Sequence, residues 1–311
     1  MANRFKGKSA VITGGAGGIG KAMCLAFAAE GASIVVNDIG AARDGTGAGA
    51  SAAEQVAAEI RAKGGNAIAN SDSVVDFAAT ERLIKTCVEK FGRIDILVNC
   101  HGNIRDRMIV NMSEEDWDLV MNIHLKGTFN TCRHACVAMR EQKYGRIINV
   151  TSDAWRAGSI GQANYVAVKG GIVSMTRSIA REMGRYNVTA NCFAPIAATR
   201  ITQDPGTLAA MKKKLDQGLI TKAWYDSFVG MPGPEHIAPL VLYLATEEAG
   251  NINGQVFHIE RGRIGIFSDP VEVRSIFNDG QVWSVDQLIE FIPKTLLIGY
   301  VNPAAPEATP R

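Results

Sequence analysis

Short apolar runs rich in β-branched residues alternate along this chain with longer stretches whose apolar positions recur every three to four residues. The short runs predict seven strands: Ser9–Thr13, Ser33–Asn37, Ala67–Asn70, Ile94–Asn99, Arg146–Thr151, Val188–Phe193 and Gln255–Ile259. They are apolar on both faces, as strands covered by helices on each side must be. The longer stretches predict helices over Ile19–Glu30, Ala52–Ala62, Phe77–Phe91, Glu114–Arg140, Gln162–Met183 and His236–Ala245. Strand and helix in regular alternation mean βαβ units, hence an α/β fold with a doubly wound parallel sheet.

Two stretches break the rhythm. Gly40–Ser51, rich in Gly and Ala, exceeds the usual βα connection of about two to six residues. Residues 199–234 carry Pro205, Gly206, Pro232 and Pro234 around a short helical patch and read as a lid. The sheet pattern stops after Ile259, so residues 1–260 are expected to form one domain. Residues 261–311 would then be a C-terminal extension, ending in a frayed tail from Asn302 with three prolines.

Composition narrows the class without naming it. Of 311 residues 47% are hydrophobic and 21% charged, enough for a full core and too apolar for disorder. Thirty-three basic against 31 acidic residues leave +2, which carries no footprint of a nucleic-acid partner. No apolar run is long enough for a membrane span. The polar start, Met1–Lys8, leads straight into a strand, so no secretory signal is expected. The six cysteines lack CxxC spacing; Cys132 and Cys136 share a helix face but have no histidine partner, so no metal is expected. Free thiols in a reducing, cytoplasmic setting are the reading they favour.

Candidate chemistry begins directly after the first strand. Gly14, Gly17, Gly18, Ile19 and Gly20 form a Gly-x3-Gly-x-Gly turn that opens the first helix. Such a turn lets the backbone approach a pyrophosphate, whose charge sits on the helix N-terminus. The second strand ends Asn37-Asp38-Ile39. A carboxylate there accepts from the ribose hydroxyls of a dinucleotide and repels a 2′-phosphate, pointing to NAD rather than NADP. Asp72, next to Ser73 after the third strand, would meet the adenine amino group.

Tyr165 and Lys169 lie one turn apart on a helix face, and Ser152 stands near the end of the fifth strand. A serine facing a helical Tyr-x-x-x-Lys can hold a substrate oxygen while the tyrosine exchanges its proton. A phenolate at neutral pH needs a drop of about 3 units from the usual value near 10, roughly 4 kcal/mol. One cation at about 5 Å in an effective dielectric of about 20 supplies roughly 3 kcal/mol, so Lys169 would come close to sufficient. Alone, Tyr-x-x-x-Lys reads as a solvated helix face; with Ser152 and the glycine turn it reads as catalytic.

With these residues in view, the first 260 positions resemble the short-chain dehydrogenase/reductase family, with its Rossmann-type seven-stranded sheet. The resemblance rests on Thr13–Gly20, on Ser152, Tyr165 and Lys169, and on Asn191-Cys192-Phe193-Ala194-Pro195. A narrower likeness is to the (3R)-hydroxyacyl-CoA dehydrogenase domains of multifunctional enzyme type 2. It is carried by Val36–Gly40 with its long loop, Ile104-Arg105-Asp106, His124–Gly127, Lys143–Ile148, Gly161–Tyr165 and Pro195–Thr202. The resemblance implies an oxidoreductase that moves a hydride between a secondary alcohol, such as a 3-hydroxyacyl-CoA, and NAD.

It also implies a cofactor surface that includes Ser73, Asn99, Gly102, Tyr165, Lys169, Pro195, Ile196 and Thr199, with Ile196–Thr199 over the nicotinamide amide. Asn122 and His124 are candidates for the family's catalytic asparagine. A homodimer or homotetramer through the Asp116–Arg140 and Gln162–Met183 helices follows, with Ile172, Met175 and Ile179 as a stripe serving either that contact or the sheet. The family's usual Asn-Asn-Ala-Gly is here Asn99-Cys100-His101-Gly102. Cys100 gives up an amide that ties sheet to helix, and His101 is expected to be a packing change. The rival readings are a hydroxysteroid or general ketone reductase, and a nucleotide-binding scaffold without activity.

Overall fold

Each strand is decided by what covers its two faces. In the computed structural model, which describes residues 3–42, 44, 46–47, 49, 51–199 and 202–302, the strands are β1 (Ser9–Thr13), β2 (Ser33–Asn37), β3 (Asn66–Asn70), β4 (Ile96–Asn99), β5 (Gly145–Val150), β6 (Val188–Ile196), β7 (Val256–Glu260) and β8 (Arg263–Ile266). They form one sheet in the order β3-β2-β1-β4-β5-β6-β7-β8, parallel up to β7. The α/β class and the doubly wound sheet stand; the count of seven is corrected to eight. The eighth strand turns back antiparallel on β7 through Arg261 and Gly262. Its exposed, glycine-interrupted residues show no buried period, so only pairing with β7 makes it a strand.

The helices are α1 (Gly18–Ala29), α2 (Ser51–Ala62), α3 (Phe77–Phe91), α4 (Glu114–Val120), α5 (Gly127–Gln142), α6 (Ala154–Ala157), α7 (Ala163–Met183), α8 (Pro205–Asp216), α9 (Lys222–Val229), α10 (Ala238–Ala245) and α11 (Val285–Lys294). Alternate strand residues enter opposite layers. Ile12, Ile34, Val36, Ile96 and Val98 pack with Met23 and Phe27 of α1, Val56 and Ile60 of α2, and Val241 and Leu244 of α10. Val11, Val35 and Leu97 face the other way, onto Leu83 of α3, Met139 of α5 and Met183 of α7.

The single helix expected over Glu114–Arg140 is interrupted. Between α4 and α5 the chain takes a π-helical course over Met121–Lys126, a widening often found at functional sites. The lid region contains α8 and α9, joined by a turn at Gly218. Arg200 and Ile201 of that region, and Arg43, Gly45, Ala48 and Ala50 of the glycine-rich loop, lie outside the described residues, as does the expected tail from residue 303 onward.

The chain divides into two units, 1–267 and 268–311. In the second, α11 begins with a reciprocal capping box between Ser284 and Gln287. Trp283 meets Phe291 edge-on at 5.9 Å, and Arg274 Nη1 donates to the carbonyls of Leu296 and Ile298. Among the described residues no helix is long and apolar enough to cross a membrane.

Candidate active site

The sheet order reverses between β1 and β4, and at that point the loops after the two strands separate to opposite sides and leave a crevice. The glycine turn lies on this crevice. A side-chain carbon at Gly20 would stand 2.1 Å from Gly14 O, and one at Gly14 would stand 2.8 Å from the Cys100 carbonyl. Only glycine lets the first turn of α1 close on itself and lie against the loop after β4. Gly17 caps α1 without a side-chain hydrogen bond, and no acidic residue occupies the first turn. The N–H groups of Gly18, Ile19 and Gly20 therefore have no side-chain acceptor from this helix start, which fits a pyrophosphate.

Asp38 stands beside this turn. Its Oδ2 accepts from Ala16 N at 3.0 Å and its Oδ1 from Gly40 N at 2.7 Å, which ties the turn to the long loop. A carboxylate has capacity for further donors, so the position suits a ribose. Asp72 is more committed: Asn70 Nδ2 and Arg82 Nη2 both donate to it at 2.9 Å, beside Ser73 at the end of β3. Thr199 stands over the turn, its Cβ and Cγ2 3.3 Å from where a carbon on Gly18 would be. Pro195 and Ile196 end β6 on the same rim, half-buried. The structure therefore brings Gly14, Gly17, Gly18, Ile19, Gly20, Asp38 and Thr199 together around one crevice.

Asn99 is placed otherwise. It is fully buried, with Oδ1 accepting from Thr131 Oγ1 at 2.8 Å and Nδ2 donating to Asn149 Oδ1 at 2.8 Å. Its side chain ties β4 to α5 and β5 and does not line the crevice. The sheet-to-helix tie that Cys100 was expected to forfeit is thus supplied one residue earlier.

Tyr165, Ser152 and Lys169 meet as the sequence suggested. The Ser152 hydroxyl stands near enough to the Tyr165 phenol to hold its pKa down slightly. The Lys169 ammonium lies 5.4 Å from the tyrosine ring centre and donates to Val150 O at 3.2 Å. Thr151 Oγ1 donates to Lys169 O at 2.9 Å, fixing the strand end against α7. The protonation states differ from the expected phenolate. Loss of water raises Tyr165 to about 12, against a smaller lowering by Ser152, and the same loss brings Lys169 down to about 8. Desolvation outweighs the single cation. At neutral pH the pair is a neutral phenol beside an ammonium.

The π-helical stretch turns His124 inward, 3% exposed, with its ring edge-on to Tyr165 at 5.6 Å. Its Nε2 lies 3.1 Å from Asn103 N and 2.9 Å from Asn103 O, so it accepts from one or donates to the other according to tautomer. Gly102 is required by this ring: a side-chain carbon there would lie 2.4 Å from His124 Cε1. Burial, reinforced by Lys169, holds His124 well below its usual value, so it is neutral. Asn122, two residues earlier, is exposed on the opposite side of the same turn. Its candidacy is withdrawn, because a shift of two residues rotates a helical side chain by roughly half a turn.

His101 is packed. Its Nδ1 lies 2.6 Å from Thr13 Oγ1 and its Nε2 3.5 Å from Thr128 Oγ1. Burial drives it down to about 3, so it too is neutral. Asn164 and Asp106, which carry part of the resemblance without an assigned role, set the start of α7. Buried Asn164 donates to Arg105 O at 3.0 Å and Asp116 O at 3.1 Å, and its Oδ1 accepts from Tyr165 N. Gln162 Nε2 donates to Asp106 Oδ1 at 3.1 Å. The polar residues just before Tyr165 were the available signal.

Residues 8–206 match the family model described as short chain dehydrogenase. The chain is 42% identical over 264 residues to the peroxisomal hydratase-dehydrogenase-epimerase of Neurospora crassa, covering 84% of this chain and 27% of that enzyme. It is 42% identical over 262 residues to the peroxisomal multifunctional enzyme type 2 of Mus musculus, covering 84% of this chain and 33% of that enzyme. The chain therefore spans a third or less of these two relatives. A crystal structure of a short chain dehydrogenase from Mycobacterium avium superposes with a TM-score of 0.78 at 40% identity, over 97% of this chain and 98% of that one. The glycine turn at the switch point, the Ser152–Tyr165–Lys169 contact and these likenesses agree: the chain belongs to the short-chain dehydrogenase family, oxidoreductases acting on CH–OH groups.

Proposed function

We propose that the protein oxidises a secondary alcohol with NAD, the alcohol being a 3-hydroxyacyl-CoA or a steroid-derived acyl-CoA. The observation that carries the catalytic part is the gathering of Ser152 and the Lys169 ammonium around the Tyr165 phenol. Ser152 holds the substrate oxygen; in the reducing direction the Tyr165 phenol gives its proton to the carbonyl oxygen, and in oxidation its phenolate, formed by loss of that proton to solvent, takes the alcohol proton. Lys169 stabilises the phenolate as it forms. His124, neutral and edge-on, fixes the ring from the other side. Gly14, Gly17, Gly18, Ile19, Gly20, Asp38 and Thr199 would hold the dinucleotide, with Asp72 and Ser73 at its adenine end and Gly102, Pro195 and Ile196 along the crevice. The nicotinamide, when bound, accepts the hydride.

Asp38 selects the cofactor in this reading. NAD is expected to be preferred over NADP by at least about tenfold in kcat/KM, because a 2′-phosphate would meet a carboxylate. Asp38→Asn, which keeps an acceptor for Ala16, should narrow the ratio. Equal kcat/KM values for the two cofactors at identical salt would place Asp38 away from the ribose.

The acyl-CoA assignment follows the similarity to the multifunctional enzymes. Lys212, Lys213 and Lys214 on α8 are the cations that CoA phosphates would meet in this reading. Lys212 is paired with Asp216 and Lys214 donates to Ile160 O at 3.5 Å, which leaves exposed Lys213 as the freer cation. Exposed pairs of this kind contribute about 0–1 kcal/mol each. A 3-hydroxyacyl-CoA is therefore expected to have a KM a few-fold below that of its CoA-free acid, with the gap closing as salt rises. Equal turnover of the free acid or of a plain steroid alcohol would favour the general ketone-reductase reading.

The proposed assembly is a homo-oligomer. Of the expected stripe, Ile172 is buried against Val256 and Cys192 and Ile179 packs into the second core layer, while half-buried Met175 joins neither. The outward face of α5 presents Phe129 and Val137 beside Phe77, which stacks on Phe129 at 6.3 Å. Light scattering at micromolar concentration is expected to give a dimer or tetramer; a monomer would refute the contact. The six cysteines are free thiols, which suits a reducing cytoplasm.

A further inference from the structure

Ser152 is followed by a residue whose partner lies on a distant strand. Asp153 Oδ2 accepts from His258 Nδ1 at 2.8 Å, linking the loop after β5 to β7. His258 is 7% exposed, and its Nε2 lies 3.9 Å from Glu260 Oε2, beyond hydrogen-bond reach. Three buried polar atoms without a hydrogen-bond partner gather on these neighbouring residues: Asp153 Oδ1, His258 Nε2 and Trp155 Nε1. Phe267, next after β8, joins the group. Its N–H donates to Val256 O at 2.9 Å, and its ring stands edge-on to His258 at 6.5 Å and to Trp155 at 6.0 Å. The Arg156 guanidinium lies 5.7 Å from the same ring centre.

A polar pair left this incompletely satisfied is a poor way to stabilise a core, since apolar residues of similar volume serve as well or better. Its position suggests another use. Thr151 is fixed on one side of Ser152, by its N–H donating to Phe193 O at 2.8 Å and by its hydroxyl donating to Lys169 O. On the other side, α6 is a single turn, and Asp153 makes no side-chain capping bond to it. Ala154 N approaches Ser152 Oγ at 3.4 Å, a weak restraint. Trp155 N also donates to Ser152 O at 3.0 Å and Trp155 packs against the Ile172 cluster, while the Asp153–His258 contact is the polar link from that side to β7.

We propose that His258 is a positioning residue: it holds Asp153 so that the Ser152 hydroxyl stays directed at Tyr165. The proposal rests on the catalytic reading of Ser152 given above. Misplacement of a reacting group by about 1 Å can cost about a hundredfold in rate, so a loosened Ser152 should be visible in kcat with little change in KM.

The test compares His258→Leu, which fills the site without a donor, with His258→Asn, whose amide nitrogen replaces Nδ1. His258→Leu is expected to lower kcat at least about tenfold with KM and NAD affinity within about threefold, and His258→Asn to recover at least half of the wild-type kcat. Asp153→Ala, at a side chain 38% exposed, should lower kcat in the same way and serves if His258→Leu does not fold. The double variant should be no slower than the slower single one. A His258→Leu or Asp153→Ala enzyme with more than half the wild-type kcat overturns the proposal, as does a His258→Asn enzyme as slow as His258→Leu. Ser152→Ala separates the two readings. If it stays active, the role given to Ser152 is wrong; if it is inactive while His258→Leu is active, only the positioning role fails.

Discussion

Replacing Tyr165 by Phe is expected to lower kcat by about a hundredfold to ten-thousandfold while NAD still binds, which is the range for loss of a positioned acid–base group. The substitution removes one oxygen and keeps the ring that meets His124 edge-on. Packing therefore survives and the loss reads proton transfer alone. A variant retaining a tenth of the wild-type kcat would sink the assignment. Lys169→Ala should displace the pH–rate profile to the alkaline side, because the phenol, already raised to about 12 by loss of water, then forms its anion with no cation nearby. An unchanged apparent pKa would remove Lys169 from that role.

Acid is expected to destabilise the fold steeply between about pH 6.5 and pH 4. His101, brought down to about 3, and His124, held well below its usual value, are both kept neutral by burial. Unfolded histidines bind a proton near pH 6.5. Below that pH the unfolded chain carries more protons than the native one, so stability falls as pH falls. His101 contributes about 1.4 kcal/mol per pH unit, or about 2 kcal/mol at pH 5 relative to pH 7.5, and His124 adds in the same direction. Urea titrations across this range measure it, and His101→Asn should flatten the slope. A stability that is flat from pH 7 to 5 would mean that both rings become protonated in the native state. Lys169 acts in the same sense at the other end: brought down to about 8, its burial penalty is present below that pH and is relieved as pH rises toward 10.5.

Much of the architecture and part of the site were legible before any coordinates. Strands covered on both faces are written as continuous apolar runs, so β1 and β2 could be bounded to the residue. The glycine turn and Tyr165-x-x-x-Lys169 could be read because each depends on local spacing: a tight turn at a helix start, and two side chains one helical turn apart. Asp38 could be read because strand ends in such sheets face the ligand crevice.

The remaining features depend on contacts between residues far apart in the chain. No period in Met121–Lys126 announces a π-helical course, yet that course decides that His124 enters the site and Asn122 does not. Asn99 follows a strand toward the crevice in sequence, but Thr131 and Asn149 claim its amide. Whether Lys169 could make a phenolate turned on desolvation, which sequence spacing cannot supply. β8 exists because β7 offers an edge, and it is β8 that brings Phe267 against His258 and Trp155. The sequence alone determined the α/β sheet, the glycine turn and the spacing of Tyr165 and Lys169, since those follow from the local periodicity of side chains along strands and helices. The tertiary structure decided the protonation states, the inward histidine and the partner of Asp153, since burial and long-range pairing exist only once the chain has closed around them.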